Sequence, residues 1–421
     1  MADGSSSSSS PASSRSSSCR RSRRRSTRSA PTPARPPCRL VTVSDTRRVV
    51  GGQEACHHAR MPDRLDLVTR RDLLRGTLGT PAALAGGGLI AACVPPGGPT
   101  GVASPGATLP PPETTTVRFV SPPVCDPPAA LAKQFLLEEG FTDIQYVRIP
   151  ATTTEWLTSG VAEFNSGGYG SLIAANVDIG LPIVALAGIH PGCFELFAAP
   201  GISTIKDLRG KTIAVNAKNV SDLFYCYFSI LLAYIGLDPR TDVNFIEIKP
   251  DVNALRDAFV DGRSQAFIAP AASGPALRRN PKNPGKVILD TTMDKPWSQY
   301  YCCQLVANRD WARRYPIATK RVTRAVLRAA DLVTKDRPSA AHQFVAGGFF
   351  STTPAATDED IVNEVIRDLS YDWRELDPEE TLRFFALRLA DAKLITMTSQ
   401  QVIAQGSDFA YMRQLRTELK Q

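Results

Sequence analysis

The sequence predicts an α/β fold of two lobes with a cleft between them, and three observations lead to this prediction. From residue 115 onward, short apolar segments alternate with segments of helical spacing, which is the pattern of parallel sheets covered by helices. This part of the chain has about 300 residues, enough for two such lobes. Hydrophobic residues make up 43% of the chain and charged residues 21%, as in soluble globular proteins.

Short apolar or alternating runs between Gly, Pro or polar residues predict the strands. They cover residues 117–120, 144–149, 183–188, 212–215, 244–248 and 266–268. Helical spacing of apolar residues followed by Gly predicts the helices, because Gly readily adopts the left-handed conformation that ends a helix. These cover residues 127–140, 221–234 and 253–261, with Ser221 as the N-cap of the second, and residues 310–421 are mostly helical.

The positive charge of the chain lies in its first part. The whole chain has a formal net charge of +8. Residues 1–93 contain 16 Arg and 6 acidic residues, which leaves 33 basic and 35 acidic residues in the remainder. The predicted lobes are therefore slightly acidic, and no nucleic-acid partner is expected for them.

Residues 1–60 are rich in Ser, Arg and Pro and are predicted to be disordered, because such a segment buries too little apolar surface. An Arg/Ser tract can bind RNA, or it can be upstream sequence that is not translated. The second interpretation, with Met61 as the true start, is favoured because an export signal follows Met61.

Residues 61–93 resemble a twin-arginine signal peptide that ends at a lipidation site. Arg70 and Arg71 lie in the phrase TRRDLLR, a mildly apolar stretch covers 77–92, and small residues precede Cys93. The stretch is too short and too weakly apolar to span a membrane. Residues 94–113 form a Pro/Gly-rich tether. We therefore expect an exported protein, periplasmic or on the outer face of the cytoplasmic membrane, anchored by a lipid on Cys93.

The cysteines show no spacing typical of a metal site, so no metal is expected. The chain has nine cysteines, of which five follow Cys93: Cys125, Cys193, Cys226, Cys302 and Cys303. An odd number argues against a full disulfide framework, although one bridge is possible in an oxidising compartment. The adjacent pair at 302 and 303 is predicted to point to opposite faces of a strand as buried thiols.

Several phrases carry a resemblance to a known family. They are LPIVALAG at 181–188, HPGCFELF at 190–197, IKDLRGKTIAV at 205–215 and GLDP at 236–239. Residues 115–421 resemble the nitrate/sulfonate/taurine (SsuA/THI5-like, NMT1-like) solute-binding proteins of ABC importers. The resemblance implies a two-lobe, type 2 periplasmic-binding-protein-like fold, with parallel-rich sheets flanked by helices and a hinged ligand cleft. The first lobe would cover 114–210 and 297–421, and the second 211–296.

The resemblance also implies a function. The protein would be an extracytoplasmic lipoprotein that captures a small polar or monoanionic ligand, nitrate-, sulfonate-, taurine- or pyrimidine-like, and delivers it to an ABC permease. It would act as a monomer, without catalysis or a cofactor. One alternative is a THI5-like pyrimidine-synthesis enzyme, whose relatives use pyridoxal phosphate and iron, but an export leader does not suit a cytosolic enzyme. Another alternative is the binding module of a sensor.

A hinged binder needs strand-end loops from both lobes at its cleft. The candidates in the first lobe are Ser121, Pro122, Gly168, Tyr169, Ser171 and His190, with Ser171 also a possible helix cap. The candidates in the second lobe are Lys218, Asn219, Ser221 and Pro270, the first three beside a helix N-terminus that suits an oxyanion. Near the return crossing, Trp297 and Tyr300 are candidates for stacking on a flat ligand.

Each candidate also has an ordinary structural interpretation. The Gly-rich segment can be a simple turn, His190 a structural loop residue, Lys218 a solvated side chain and the two aromatic residues part of the packing. No group of Arg and Lys converges on these loops. A doubly charged ligand is therefore less expected than a monoanion or a neutral polar heterocycle.

Overall fold

The structure is a computed structural model that describes residues 109–149, 154–249, 251–352 and 357–419. The Ser/Arg-rich segment, the predicted export signal with Arg70 and Arg71, the lipidation site Cys93 and the tether as far as residue 108 lie outside the described residues. Within the described residues, no helix has the length and apolar character that crossing a membrane requires.

Strands and helices alternate through most of the described chain. The strands are β1 Thr116–Val120, β2 Asp143–Val147, β3 Phe164–Tyr169, β4 Ile183–Pro191, β5 Phe194–Ala198, β6 Thr212–Val215, β7 Asn244–Glu247, β8 Ala266–Pro270, β9 Lys286–Asp290 and β10 Tyr301–Asn308. The helices of the first two thirds are α1 Pro127–Leu131, α2 Lys133–Glu138, α3 Glu155–Ser159, α4 Gly170–Asp178, α5 Leu223–Tyr234, α6 Val252–Val260 and α7 Ser273–Arg278. The C-terminal helices are α8 Arg309–Arg314, α9 Pro316–Lys335, α10 Arg337–Ala346, α11 Asp358–Arg367, α12 Pro378–Asp391, α13 Ser399–Gly406 and α14 Ala410–Glu418.

The strands form three sheets. The first has the order β2-β1-β3-β10-β4, in which β1 pairs in parallel with β2 and β3, and β10 lies antiparallel between β3 and β4. The second is antiparallel, with the order β8-β5-β9, and the third is the parallel pair β6-β7. The predicted α/β fold is confirmed, but the sheets are mixed rather than mainly parallel. The reason is that β5, β9 and β10 belong to the chain segments that leave and re-enter the first sheet.

The chain crosses from the first sheet to the second and back once. It leaves at the end of β4, and after Gly192 and Cys193 it enters β5, which pairs with β8 and β9. It returns between Asp290 and Tyr301. The first crossing lies about one strand before the predicted lobe boundary at 211, because residues 194–198 belong to the second sheet. The predicted boundary at 297 falls within the returning segment.

Local sequence explains where the helices begin. The side chains of Asp222, Asp251, Asn308 and Asp377 accept hydrogen bonds from backbone N–H groups at the starts of α5, α6, α8 and α12. Such caps satisfy N–H groups that have no partner inside the helix. The predicted N-cap of α5, Ser221, is therefore wrong by one residue. The predicted helix 127–140 is two short helices, which meet at Ala132.

Candidate functional site

A cleft of about 880 Å³ is formed by loops that follow the carboxyl ends of strands. Ser121, Pro123 and Val124 follow β1, and Tyr169 ends β3. The remaining lining residues are Thr154, Glu155, Asn216, Ala217, Asn219, Ser221, Asp222, Leu223, Phe224, Asp251, Val252, Pro270, Ala271, Ala272 and Ser273. The loops after β6, β7 and β8 supply most of them. The first sheet therefore contributes through β1 and β3, and the second and third sheets contribute through β8, β6 and β7. Ligands of α/β proteins characteristically bind at such strand ends.

Five of the predicted site residues line this cleft, and they come from both predicted lobes. They are Ser121, Tyr169, Asn219, Ser221 and Pro270. The other seven do not line it, and the structure gives each of them a structural environment. They are Pro122, Gly168, Ser171, His190, Lys218, Trp297 and Tyr300.

Three of the seven lie around β3 and β1. Pro122 is buried between two residues that do line the cleft. Gly168 lies inside β3, opposite Gln304 of β10, and a Cβ there would overlap Val306. Ser171 is buried in the first turn of α4, whose N-cap is Tyr169, and its hydroxyl has no hydrogen-bond partner among the described residues. The prediction that Ser171 caps this helix is therefore wrong.

The other four are set apart by burial, stacking or exposure. His190 is buried because β4 runs three residues past its predicted end, and its ring lies against Tyr371. Trp297 is buried among aromatic side chains, and Tyr300 stacks on Phe384 at a centroid distance of 4.0 Å. Lys218 is exposed. The ordinary interpretations thus describe Lys218, Trp297 and Tyr300, whereas His190 is structural but lies in a strand rather than in a loop.

The cleft is acidic, which the sequence analysis missed. Glu155, Asp222 and Asp251 line it, whereas no Lys, Arg or His among the described residues does. Each of these acids lies beyond the end of a strand and at the start of a helix, so they are found by extending the strand-end rule a few residues further. Burial raises the pKa of Asp222, and hydrogen bonds from Tyr225, Asn216 and Ala217 oppose that rise.

The predicted oxyanion position at the N-terminus of α5 already holds a carboxylate. Oδ1 of Asp222 accepts a hydrogen bond of 2.8 Å from the backbone N–H of Tyr225. A helix N-terminus attracts anions through its free N–H groups and partial positive charge. Because Asp222 uses this position, an anionic ligand would have to approach a negative side chain there.

Four buried cysteine sulfurs converge beside the cleft. The Sγ atoms of Cys125, Cys193 and Cys303 all lie within 4.8 Å of one another, and the Sγ of Cys302 lies 2.7 Å from that of Cys193. Thiolates are ligands for Zn²⁺ and other soft metals, so the first three form a metal-capable group that sequence spacing did not reveal. The four cysteines are hereafter called the thiol cluster. Tyr169 connects it to the cleft, since it lines the cleft and lies close to these thiols.

The adjacent cysteines were predicted to point to opposite faces, but both sulfurs reach the thiol cluster. The pairing of β10 with β4 shifts between Tyr301 and Cys303, so Cys302 lies in a β-bulge. A bulge breaks the strict alternation of side chains along a strand. The Sγ of Cys303 consequently lies 3.9 Å from that of Cys125, while Cys302 contacts Cys193.

The four thiols of the cluster differ in the direction of their pKa shifts. The neighbouring side chains of Cys193, Cys303 and His190 lower the pKa of the Cys125 thiol well below its usual value. Burial raises the pKa values of the other three thiols. Burial lowers the pKa of His190, but its interactions with the nearby Cys125 and Asp126 outweigh burial and produce a net rise.

The mixed sheets, the flanking helices and the strand-end cleft define a periplasmic-binding-protein fold. A sequence profile described as NMT1/THI5 like matches residues 129–341, about half of the chain. The chain belongs to the NMT1/THI5-like family, and the predicted resemblance is confirmed at this level.

Solved structures with this fold include sulfonate- and nitrate-binding proteins. The alkanesulfonate-binding protein SsuA from Xanthomonas axonopodis pv. citri, bound to MOPS, is 18% identical over 70% of this chain and 99% of its own, with a TM-score of 0.55. The nitrate-binding protein NrtA from Synechocystis PCC 6803 is 15% identical over 73% of this chain and 90% of its own, with a TM-score of 0.57. At such identities the likeness concerns the fold. No curated protein matches the chain.

Proposed function

We propose that the protein is an exported solute-binding protein that captures a small polar ligand in the cleft and delivers it to an ABC permease. The observation that carries this proposal is the cleft itself, which is built from strand-end loops of all three sheets. Closure of two such lobes removes a ligand from water. Family membership and the fold of sulfonate- and nitrate-binding proteins support the same function.

The lining favours a neutral or cationic heterocycle over a monoanion. Three acids and no described cation line the cleft, and Asp222 occupies the N-terminus of α5. The ring of Phe224 offers a flat contact surface, and Val124 and Leu223 add aliphatic surface near polar groups. A pyrimidine-like ligand suits this combination. Nitrate and sulfonates would meet negative charge without a compensating cation among the described lining residues.

A thermal-shift screen followed by calorimetry tests the proposal, because a ligand that binds only the folded protein raises its melting temperature. We expect pyrimidines and other nitrogen heterocycles to stabilise the protein, and nitrate, taurine and alkanesulfonates to have little effect. Asn219→Ala removes a polar side chain at the cleft and should weaken binding about tenfold, equivalent to about 1.4 kcal/mol. The matched control is Lys218→Ala, one residue away but outside the cleft, which should leave affinity unchanged.

Two results would contradict the ligand assignment. Tighter binding of a sulfonate or nitrate than of any heterocycle would show that the acidic lining does not govern selectivity. An equal loss of ligand affinity in Lys218→Ala and Asn219→Ala would show that the ligand does not bind in the cleft.

The route to the membrane is the second part of the proposal. The leader with Arg70 and Arg71 would direct twin-arginine export, and a lipid on Cys93 would anchor a monomeric receptor outside the cytoplasmic membrane. Arg70→Lys combined with Arg71→Lys should leave the protein inside the cell, and Cys93→Ala should release it from the membrane. Fractionation measures both outcomes. Normal export of the double variant would refute the twin-arginine route.

A further inference from the structure

The closest pair in the thiol cluster joins the two segments where the chain crosses between sheets. Cys193 lies between β4 and β5, on the outgoing crossing, and Cys302 lies at the beginning of β10, just after the return. Their Sγ atoms are 2.7 Å apart, whereas those of Cys125 and Cys303 are 3.9 Å apart. Two thiols that are not bonded to each other do not normally pack as closely as the first pair.

Backbone irregularities on both strands produce this approach. Cys302 occupies the bulge of β10, as described above. Cys193 has a φ of 126°, in a region that residues with side chains rarely adopt. A strained backbone persists only where surrounding structure holds it. Both irregularities direct side chains toward each other rather than along the regular faces of the strands.

A shared metal ion does not explain the separation of this pair. Two thiolates on a tetrahedral Zn²⁺, each at about 2.3 Å from the metal, are about 3.8 Å apart. The separation of Cys125 and Cys303 matches that value, but the pair Cys193 and Cys302 is more than 1 Å closer. A disulfide has its sulfurs about 2.05 Å apart. The separation of the Cys193 and Cys302 sulfurs is therefore closer to that of a disulfide than to that of two thiolates on one metal ion.

We propose that Cys193 and Cys302 form a disulfide that ties together the two crossings between the sheets. The oxidant is a disulfide-bearing molecule, either a protein oxidant or oxidised glutathione. The thiolate of one cysteine attacks the oxidant disulfide and forms a mixed disulfide, and the second cysteine displaces the remaining thiol. The two protein thiols lose their protons and two electrons, and the oxidant leaves as two thiols.

Access and compartment both suit this reaction. Cys193 lines a second cavity of about 370 Å³, next to Ala271, while Cys125 and Cys303 have no exposed surface. The export proposed above would carry the protein into a compartment where disulfides persist. The bridge rests on the export proposed above but not on ligand capture, so failure of the ligand-binding test leaves the bridge standing, and absence of the bridge leaves ligand capture standing.

The bridge should stabilise the fold, because it closes a long loop in the unfolded chain. The two cysteines are 109 positions apart, and cross-linking a loop of this length strongly restricts the unfolded ensemble. We expect a reductant to lower the melting temperature of the oxidised protein by at least about 3 °C. Cys226→Ser removes a buried cysteine outside the thiol cluster and serves as the control that keeps this effect.

Peptide mapping of the full-length protein tests the bridge directly. The protein is incubated with oxidised glutathione, its free thiols are alkylated after denaturation, and the digested peptides are identified by mass spectrometry. We expect one linked pair of peptides containing Cys193 and Cys302, with Cys125, Cys226 and Cys303 alkylated. Cys193→Ala and Cys302→Ala should each abolish the linked pair and the effect of the reductant.

Three results would overturn the proposal. The first is alkylation of all five of these cysteines in the oxidised wild-type protein, which needs no variant and is independent of variant folding. The second is a linked pair between Cys125 and Cys303. The third is a stoichiometric metal that protects Cys193 from oxidation, measured by elemental analysis of the purified protein.

Discussion

Tyr169 lies between the cleft and the thiol cluster, and these two regions are built in different ways. The cleft collects loops that follow strand ends, and its polar groups include three acids that face solvent or a ligand. The thiol cluster lies within and between strands, and its members are buried. A ligand can enter the cleft. In the thiol cluster, the buried groups contact mainly other groups of the protein. Changes near the thiol cluster should therefore affect stability first, and changes in the cleft should affect selectivity first.

The largest effect is expected from pH acting on Asp126, a buried neighbour of the thiol cluster. Burial raises its pKa from 3.8 to about 7, against the opposing charge of the nearby His190. The folded protein thus binds a proton more tightly than the unfolded chain. This contribution to stability is complete below about pH 4 and declines by up to about 4 kcal/mol as the pH rises through 7.

Asp126→Asn isolates this contribution from the titration of His190 and Cys125, which face the same carboxyl. Between pH 4 and pH 8 the variant should gain stability relative to the wild type, and urea unfolding at several pH values measures the difference. A constant difference across this range would mean that Asp126 titrates normally.

The next largest effect is expected from Gly188→Ala, where β4 packs on β10. A Cβ at this position would overlap the ring of Tyr301, and both residues are buried. Overpacking of this kind costs about 3 kcal/mol. Urea unfolding measures the cost, and repeating the substitution in a Tyr301→Ala background is the control. The cost should largely disappear there, because the opposing ring is absent; an unchanged cost would point to backbone strain instead.

The smallest effect on stability is expected in the cleft, at Asp222. Asp222→Ala removes the N-cap of α5 and should lower stability by about 1 kcal/mol. Asp222→Asn keeps a good cap but removes the charge, so its stability should remain near that of the wild type. Calorimetry with a sulfonate should detect tighter binding to the Asn variant. If both variants bind anions as weakly as the wild type does, the charge of Asp222 does not set selectivity.

The difference between strand-end loops at the cleft and paired strands at the thiol cluster explains what could be predicted from the sequence. Strand-end loops follow from local patterns, so the strand at 212–215 has the predicted bounds and Ser121, Asn219 and Pro270 were placed at the cleft. The thiol cluster depends on strand register, which local patterns do not specify. The sequence makes His190 a ligand candidate, with a structural loop residue as the alternative, because the extension of β4 into an apparent Gly/Pro loop has no local signal.

The bulge at Cys302 was also unpredictable, because it arises from pairing with a strand more than a hundred positions earlier. The acids of the cleft are a different case. Asp222 lies next to Ser221, and choosing between two adjacent capping residues requires the helix start to be known within one position. The bulge could not be predicted because it depends on a strand far away in the sequence. The acid at the start of α5 was missed because the predicted N-cap was wrong by one residue.

The carboxylate of Asp222 acts on its own helix as an internal competitor for anions. Any external anion at the start of α5 would have to displace a group that is permanently present at very high local concentration. Under the ligand preference proposed above, exclusion of anions from the start of α5 would require no additional wall or clash there. Replacing this one side chain would open the start of α5 to anions, while Glu155 and Asp251 remain at the cleft and the sheets, crossings and core stay as they are.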